Sequence, residues 1–310
     1  MRDMDPIARH PEADGGCSGC GSGGSCGAGQ AEMQAQMQQA RLETRLGHIK
    51  HQILVMSGKG GVGKSTVSAN LAWTLAQQGN KVGLLDADLH GPTIPLMTGL
   101  VGARPKGDEH SIAPVSPVEN LWVMSMGFLM QEANQPLIWR GPIRSTALRQ
   151  LVADVEWGDL DYLIADLPPG TGDEALTVAQ AMHRADGVII VSTPQEASLS
   201  DCRKAINFAH AVGLPVVGVV ENMSGFVCPH CGEETPIFSS GGAEHMAAEM
   251  EVPYLGPIPL VPEVVALSDR GQPVLGDEAP DVARAAFAAI AEEVIKRVTE
   301  SASVAGEAGS

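Results

Sequence analysis

The chain has 310 residues, a formal net charge of −17 and 44% hydrophobic residues. That length can bury one large core with tails. The acidic excess argues against a nucleic-acid partner, which needs a basic footprint, and no apolar run approaches the ~20 residues that cross a bilayer.

The opening residues, Met1-Arg2-Asp3-Met4-Asp5-Pro6, lack the apolar core of a signal peptide, so we expect a cytoplasmic protein with no membrane partner. Residues 1–30 read as an unstructured arm: Gly and Ser dominate 15–27, with nothing apolar to bury. Cys17, Cys20 and Cys26 stand in this arm. A metal held there would order it, because ligation supplies free energy that burial cannot. Residues 31–50 read as a helical linker, with a polar, Gln-rich helix over 31–46. A body over 51–300 follows, and 301–310 reads as a disordered tail.

Within the body, apolar strand candidates fall at 52–57, 82–86, 121–126, 161–166, 187–193, 215–221 and 254–258. Helical candidates fall at 64–78, 143–154, 173–183, 197–212, 241–250 and 279–299. This alternation predicts an α/β fold, a doubly wound and mostly parallel sheet with helices on both faces and ligands at the strand C-termini. In the last helix Val282, Ala286, Ala289, Ile290 and Val294 form an apolar face that should pack on the body. Its polar face carries Asp281, Glu292, Glu293 and Glu300 against Arg284, Lys296 and Arg297, the wrong charge for a membrane-surface helix.

Between strand 52–57 and helix 64–78 lies Gly58-Lys59-Gly60-Gly61-Val62-Gly63-Lys64-Ser65-Thr66. A glycine-rich turn there exposes backbone N–H groups where the helix dipole favours negative charge. Gly58, Gly60, Gly61 and Gly63 can take positive φ and admit a phosphate against the backbone. Lys64 would reach the β/γ-phosphates of a nucleoside triphosphate, and the Ser65 hydroxyl would hold Mg²⁺. A chance lysine beside a plain turn does not account for the full spacing. Strand 82–86 ends in Asp86-Ala87-Asp88, two carboxylates on the same side of the sheet, although an Asp after a strand is also a common turn cap. Strand 161–166 ends in Asp166, the place of a Mg²⁺-holding carboxylate, followed by Pro168-Pro169-Gly170-Thr171-Gly172, which should move with the γ-phosphate.

Cys202 is alone on a helical stretch and reads as a buried, inert thiol. Cys228-Pro229-His230-Cys231-Gly232 is a compact knuckle with two thiolates suited to one tetrahedral metal. A zinc knuckle and a redox dithiol are the plain alternatives. A redox pair needs a helix N-terminus directly after it, and Gly232-Glu233-Glu234 is a poor one. Two ligands are present where four are required, so a symmetric dimer is the economical source of the other two.

The loop Gly58–Thr66 resembles the deviant Walker A motif of MinD/ParA-type P-loop ATPases. That loop, Asp86-Ala87-Asp88-Leu89-His90-Gly91-Pro92, Trp139-Arg140-Gly141-Pro142, the stretch Asp166–Asp173 and the Cys228–Cys231 knuckle occur in the order found in Mrp/Nbp-type ATPases, carriers and scaffolds of iron–sulfur clusters. The resemblance covers roughly residues 45–298. It implies a homodimer, ATP hydrolysis, a labile [4Fe–4S] cluster shared between subunits, and apo iron–sulfur proteins as recipients. It further implies that Lys59 acts on the partner's nucleotide, that Asp88 orients the attacking water with Asp86 near the Mg²⁺, and that Asn222 contacts the adenine; capping or turn formation is the plain alternative for Asn222. Cys17, Cys20 and Cys26 resemble three of the four cysteines of a ferredoxin-like arm motif in eukaryotic members, with Asp3 where the first should stand. They would hold a cluster with an open iron site, borrow His10 or Asp3, or be incidental thiols. Rival readings are a spatial regulator of partition type, which needs no cysteine pair, and a zinc-bridged targeting ATPase.

Overall fold

The structure, a computed structural model, describes residues 26–89, 91–108, 111–130, 141–228, 230–276 and 278–307. The chain divides into two compact units, residues 1–37 and 38–310. Of the first, the described part is helical, the opening of α1 (Cys26–Leu46), on which Met33 and Met37 are exposed. Helix therefore begins within the stretch expected to be an unstructured arm. Cys17 and Cys20 lie outside the described residues, and Cys26 starts the helix.

The second unit contains the end of α1 and then β1 (Ile49–Met56), α2 (Lys64–Gln77), β2 (Val82–Asp86), α3 (Ile94–Met97), β3 (Val115–Val118), β4 (Leu121–Ser125), α4 (Gly141–Asp154), β5 (Leu160–Asp166), α5 (Asp173–Ala181), β6 (Gly187–Ser192), α6 (Glu196–Ala211), β7 (Val216–Val227), β8 (Glu234–Thr235), α7 (Gly242–Glu249), β9 (Tyr254–Leu260), α8 (Pro262–Asp269) and α9 (Asp281–Glu307). Among the described residues one sheet of nine strands runs β3-β4-β2-β5-β1-β6-β7-β8, with β9 on β7. The seven strands expected from apolar runs are the parallel ones; β3 and β8 pair antiparallel at the two ends. Every residue of β2 and β6 is buried. Because successive side chains point to opposite faces, such strands are covered on both sides, which is why they read as unbroken apolar runs.

The departures have local causes. β3 carries Pro117 and alternates half-buried with exposed residues, so it gives no apolar run, and β8 has two exposed residues. Both α3 and α8 have Pro in the first turn, a start signal visible in sequence. From residue 38 on, the expected linker is part of the body: Leu42 and Leu46 are buried, Arg45 Nη1 donates to the Ala153 carbonyl at 2.5 Å, and Gln52 Nε2 donates to that of Leu46 at 3.0 Å. β1 begins at Ile49, inside that linker. The expected tail is also corrected, since α9 continues to Glu307. The buried seam of α9 runs through Ala283, Phe287, Ile290, Ala291, Val294 and Val298, while Val282 and Ala289 are exposed. It packs against β9 and α2. No described helix is long and apolar enough to cross a membrane.

Candidate functional site

β1 ends at Met56 and α2 begins at Lys64; the turn between them is the glycine loop. Gly61 and Gly63 take φ of 79° and 80°, the left-handed region that glycine enters without cost. Gly58 and Gly60 do not, contrary to expectation. Gly58 is required for space instead: a Cβ there would lie 2.3 Å from the Asp201 backbone in α6. At Gly63 a Cβ would lie 2.1 Å from Asn222 Nδ2. Val62 is buried, and Thr66, with Gly60, Gly61, Gly63, Lys64 and Ser65, lines a cavity of about 240 Å³. Lys59 is half-buried, its carbonyl accepting from Ser57 Oγ at 2.9 Å.

Asp166, fully buried at the end of β5, gathers the site. Its Oδ2 accepts from Ser65 Oγ at 2.6 Å and lies 2.8 Å from Lys64 Nζ, while Oδ1 accepts from Ser68 Oγ at 2.6 Å. A hydroxyl and a carboxylate meeting where helix N–H groups and an ammonium face one cavity are the donor set that a Mg²⁺–nucleotide requires. Ser68 is absent from the sequence reading. It lies one helical turn beyond Lys64 and on the same face, so helical spacing alone was the available signal.

Asp86 pairs in register with Asp166 across β2 and β5, and both are fully buried. Burial first, and the Asp166 charge second, push the Asp86 carboxyl up to about 8. Ser125 Oγ, donating to its Oδ2 at 2.8 Å, and the Asp88 N–H, donating to Oδ1 at 3.1 Å, act in the opposite sense. Ser125 ends β4 on the same edge and also escaped the sequence reading. Asp88 is half-buried and lines the cavity; its Oδ1 accepts from the Gly91 N–H at 3.3 Å. The Gly170 N–H donates to the Ser57 carbonyl at 2.8 Å, which ties the Pro168–Gly172 loop to the glycine loop. Beside that loop Arg144 Nη1 donates to Glu174 Oε1 at 2.6 Å, joining α4 to α5. Trp139 and Arg140 lie outside the described residues.

Asn222 is buried, and its Nδ2 donates to the Val62 carbonyl at 2.8 Å, so its amide holds the glycine loop. Six residues further, Cys228 follows the last residue of β7. The Cys228 N–H donates to the Glu233 carbonyl at 3.0 Å, and the Gly232 N–H to that of Cys228 at 2.8 Å, closing a tight turn with Gly232 at φ 73°. Cys228 is half-buried and Cys231 exposed. The N–H groups of His230 and then Cys231 hold the Cys228 thiol below its ordinary value. β8, not a helix, follows the knuckle. Among the described residues no group of three or more His, Cys, Asp or Glu side chains is placed to hold a metal, so within one chain the knuckle remains a pair. Cys202 is buried as expected, and burial raises its thiol.

Residues 48–295 match the ParA family described as NUBPL iron-transfer P-loop NTPase. The chain is 47% identical over 264 residues to an iron-sulfur cluster carrier protein of Methanococcus maripaludis, covering 85% of this chain and 91% of the relative. It is 50% identical over 240 residues to a cytosolic Fe-S cluster assembly factor NUBP2 homolog of Culex quinquefasciatus, covering 76% and 93%. Among solved structures, a nucleotide-binding protein of Archaeoglobus fulgidus in complex with ADP superposes with a TM-score of 0.68 at 41% identity, over 79% of this chain and 95% of that one. The cell division ATPase MinD of Pyrococcus furiosus follows at 0.59 and 25% identity, over 80% and 99%.

Proposed function

The chain belongs to the ParA family of NUBPL iron-transfer P-loop NTPases, and on that premise we propose that it is an ATP-hydrolysing carrier of a labile [4Fe–4S] cluster. The cluster is cargo, held by Cys228 and Cys231 of two copies and handed to apo-proteins. The observation that carries this reading is one strand, β7: it holds the glycine loop through Asn222 and ends on the thiol pair. The names of the archaeal and insect relatives support cluster carriage, and the ADP in the Archaeoglobus structure supports nucleotide binding.

The residues have defined roles. Gly61 and Gly63 admit the phosphates and Lys64 binds them. Ser65 and Asp166 hold Mg²⁺, which neutralises phosphate charge when bound. Asp88 orients the attacking water, Asp86 stands near the Mg²⁺, and Asn222 contacts the adenine while its Nδ2 holds the loop. Lys59 acts on the partner's nucleotide. Cys17, Cys20 and Cys26 offer further thiols for iron, and we place the protein in the cytosol by analogy with its insect relative.

Two measurements test the reading. Metal analysis after anaerobic purification should find iron and sulfide, reduced in Cys228→Ala; zinc alone would transfer the chain to the zinc-bridged class. Lys59→Ala and Asp88→Ala should each abolish hydrolysis, and mixing them should restore one working site per heterodimer. Failure to recover at every mixing ratio would place Lys59 in its own subunit's chemistry.

A further inference from the structure

The segment carrying Cys228 and Cys231 is fastened at both ends to one side chain. Glu221 is fully buried and is the last residue of β7 in register with β6. Its Oε1 accepts from Ser224 Oγ at 2.5 Å and from the Gly241 N–H at 2.8 Å, and its Oε2 accepts from the Ala243 N–H at 2.6 Å. Ser224 opens the thiol-bearing segment. Gly241 and Ala243 close it, at the first turn of α7. A carboxylate accepting backbone donors at a helix start makes charge-assisted bonds, strengthened by the helix dipole and by burial.

The next residue along the strand is Asn222, whose amide grips the Val62 carbonyl inside the glycine loop. Adjacent residues on one strand therefore hold two different loops, and Val62, Asn222, Glu221, Ser224 and Ala243 are all buried. Just beyond them the pairing is irregular: Met223 takes φ 58°, and the register with β9 shifts between Asn222 and Phe226. Gly225 also has positive φ, and a Cβ on it would lie 2.5 Å from Glu234 Oε1, so the returning strand comes as close as glycine permits. The thiol segment thus begins at a break in the regular pairing of β7, re-pairs at the sheet edge through Phe226 with Leu260 and through β8, and has both its ends fastened to one carboxylate.

We propose that Glu221 is the positioning residue through which occupancy of the glycine loop sets the exposure of Cys228 and Cys231. A phosphate entering the loop engages the backbone on either side of Val62. The Val62 carbonyl carries Asn222, and the shift passes along the peptide to Glu221 and from its carboxylate to Ser224, Gly241 and Ala243. The biological use rests on the reading of the thiol pair as cargo ligands. The test does not, because it reads thiols in protein without metal.

The full chain, reduced and freed of metal by chelator, is pulse-alkylated with iodoacetamide with and without a saturating non-hydrolysable ATP analogue, and each cysteine is scored by mass spectrometry. In the unaltered chain nucleotide should change the rates at Cys228 and Cys231 by about fivefold or more, the lower end of ordinary coupling, and leave Cys17, Cys20 and Cys26 unchanged. Glu221→Gln keeps one acceptor and sets an amide against a backbone donor; it should still bind the analogue, yet respond by less than about twofold. Ser224→Ala removes one bond and leaves the carboxylate anchored. It should respond to an intermediate degree, and it carries the test if Glu221→Gln does not fold. Light scattering on the same samples controls for self-association. A purely structural Glu221 would raise both rates equally and leave their ratio intact, which overturns the proposal. So does an absent response in the unaltered chain at saturating analogue, or a loss of response accompanied by loss of self-association. If metal analysis fails but this response holds, the cargo reading falls and the coupling stands.

Discussion

At the scale of single residues, the proposed site rests most heavily on Asp166. Three donors converge on its fully buried carboxylate. Asp166→Asn should cut turnover by about 100-fold or more, as expected when several kcal/mol of charge stabilisation is lost, and should weaken the Mg²⁺ dependence of nucleotide binding. Steady-state hydrolysis over a Mg²⁺ titration checks this. At the other end of the same strand, Asp161 accepts from Lys50 Nζ at 2.7 Å and from the Lys81 N–H at 2.7 Å. The Lys50 bond first, then the Lys81 N–H, hold its carboxyl below the usual range. A depressed folded value stabilises the protein above the unfolded value and loses that contribution as pH falls through the folded one. Asp161→Asn should therefore cost about 1 kcal/mol at neutral pH, and the cost should begin to shrink as pH falls below about 4 and vanish only below the depressed folded value. Urea melts of both proteins at pH 7 and pH 3 read the difference. Lys64, Ser65 and Asp166 were legible in the sequence because their chemistry is carried by spacing along strand, loop and helix. Ser68, Ser125 and Glu221 were not: a hydroxyl or carboxylate in an apolar stretch says nothing about its partner until strands far apart in sequence come into register.

At the scale of elements, the seven parallel strands could be read from apolar runs because burial on both faces leaves no polar alternation. The edges could not, since β3 and β8 are short and exposed. The end of α1 reads as a linker in sequence because its Gln-rich face hides two buried leucines, Leu42 and Leu46. If it is core, Leu42→Ala should cost about 2 kcal/mol, a fall in Tm of roughly 4 °C or more; a free linker would show no change. The loop between β1 and α2 is equally specific. Gly63→Ala strains a positive φ and drives a Cβ into Asn222. It should cost more than about 1 kcal/mol and abolish nucleotide binding. Calorimetric titration of the folded variant checks binding separately from stability.

At the scale of the whole molecule, the account turns on stoichiometry. On the proposed reading each chain presents a nucleotide site that Lys59 of the other copy completes and half of a four-ligand metal site, so ATP hydrolysis and cluster carriage would meet in a pair of chains. The arm's thiols are separated from the pair by replacing Cys17, Cys20 and Cys26 with Ser in the full-length chain. That variant, reconstituted anaerobically with iron and sulfide, is then weighed by native mass spectrometry. The account predicts two chains carrying one cluster, about two irons and two sulfides per chain, both lost in the added Cys228→Ala variant. A single chain holding a full cluster, or a dimer that takes up only zinc, would contradict it.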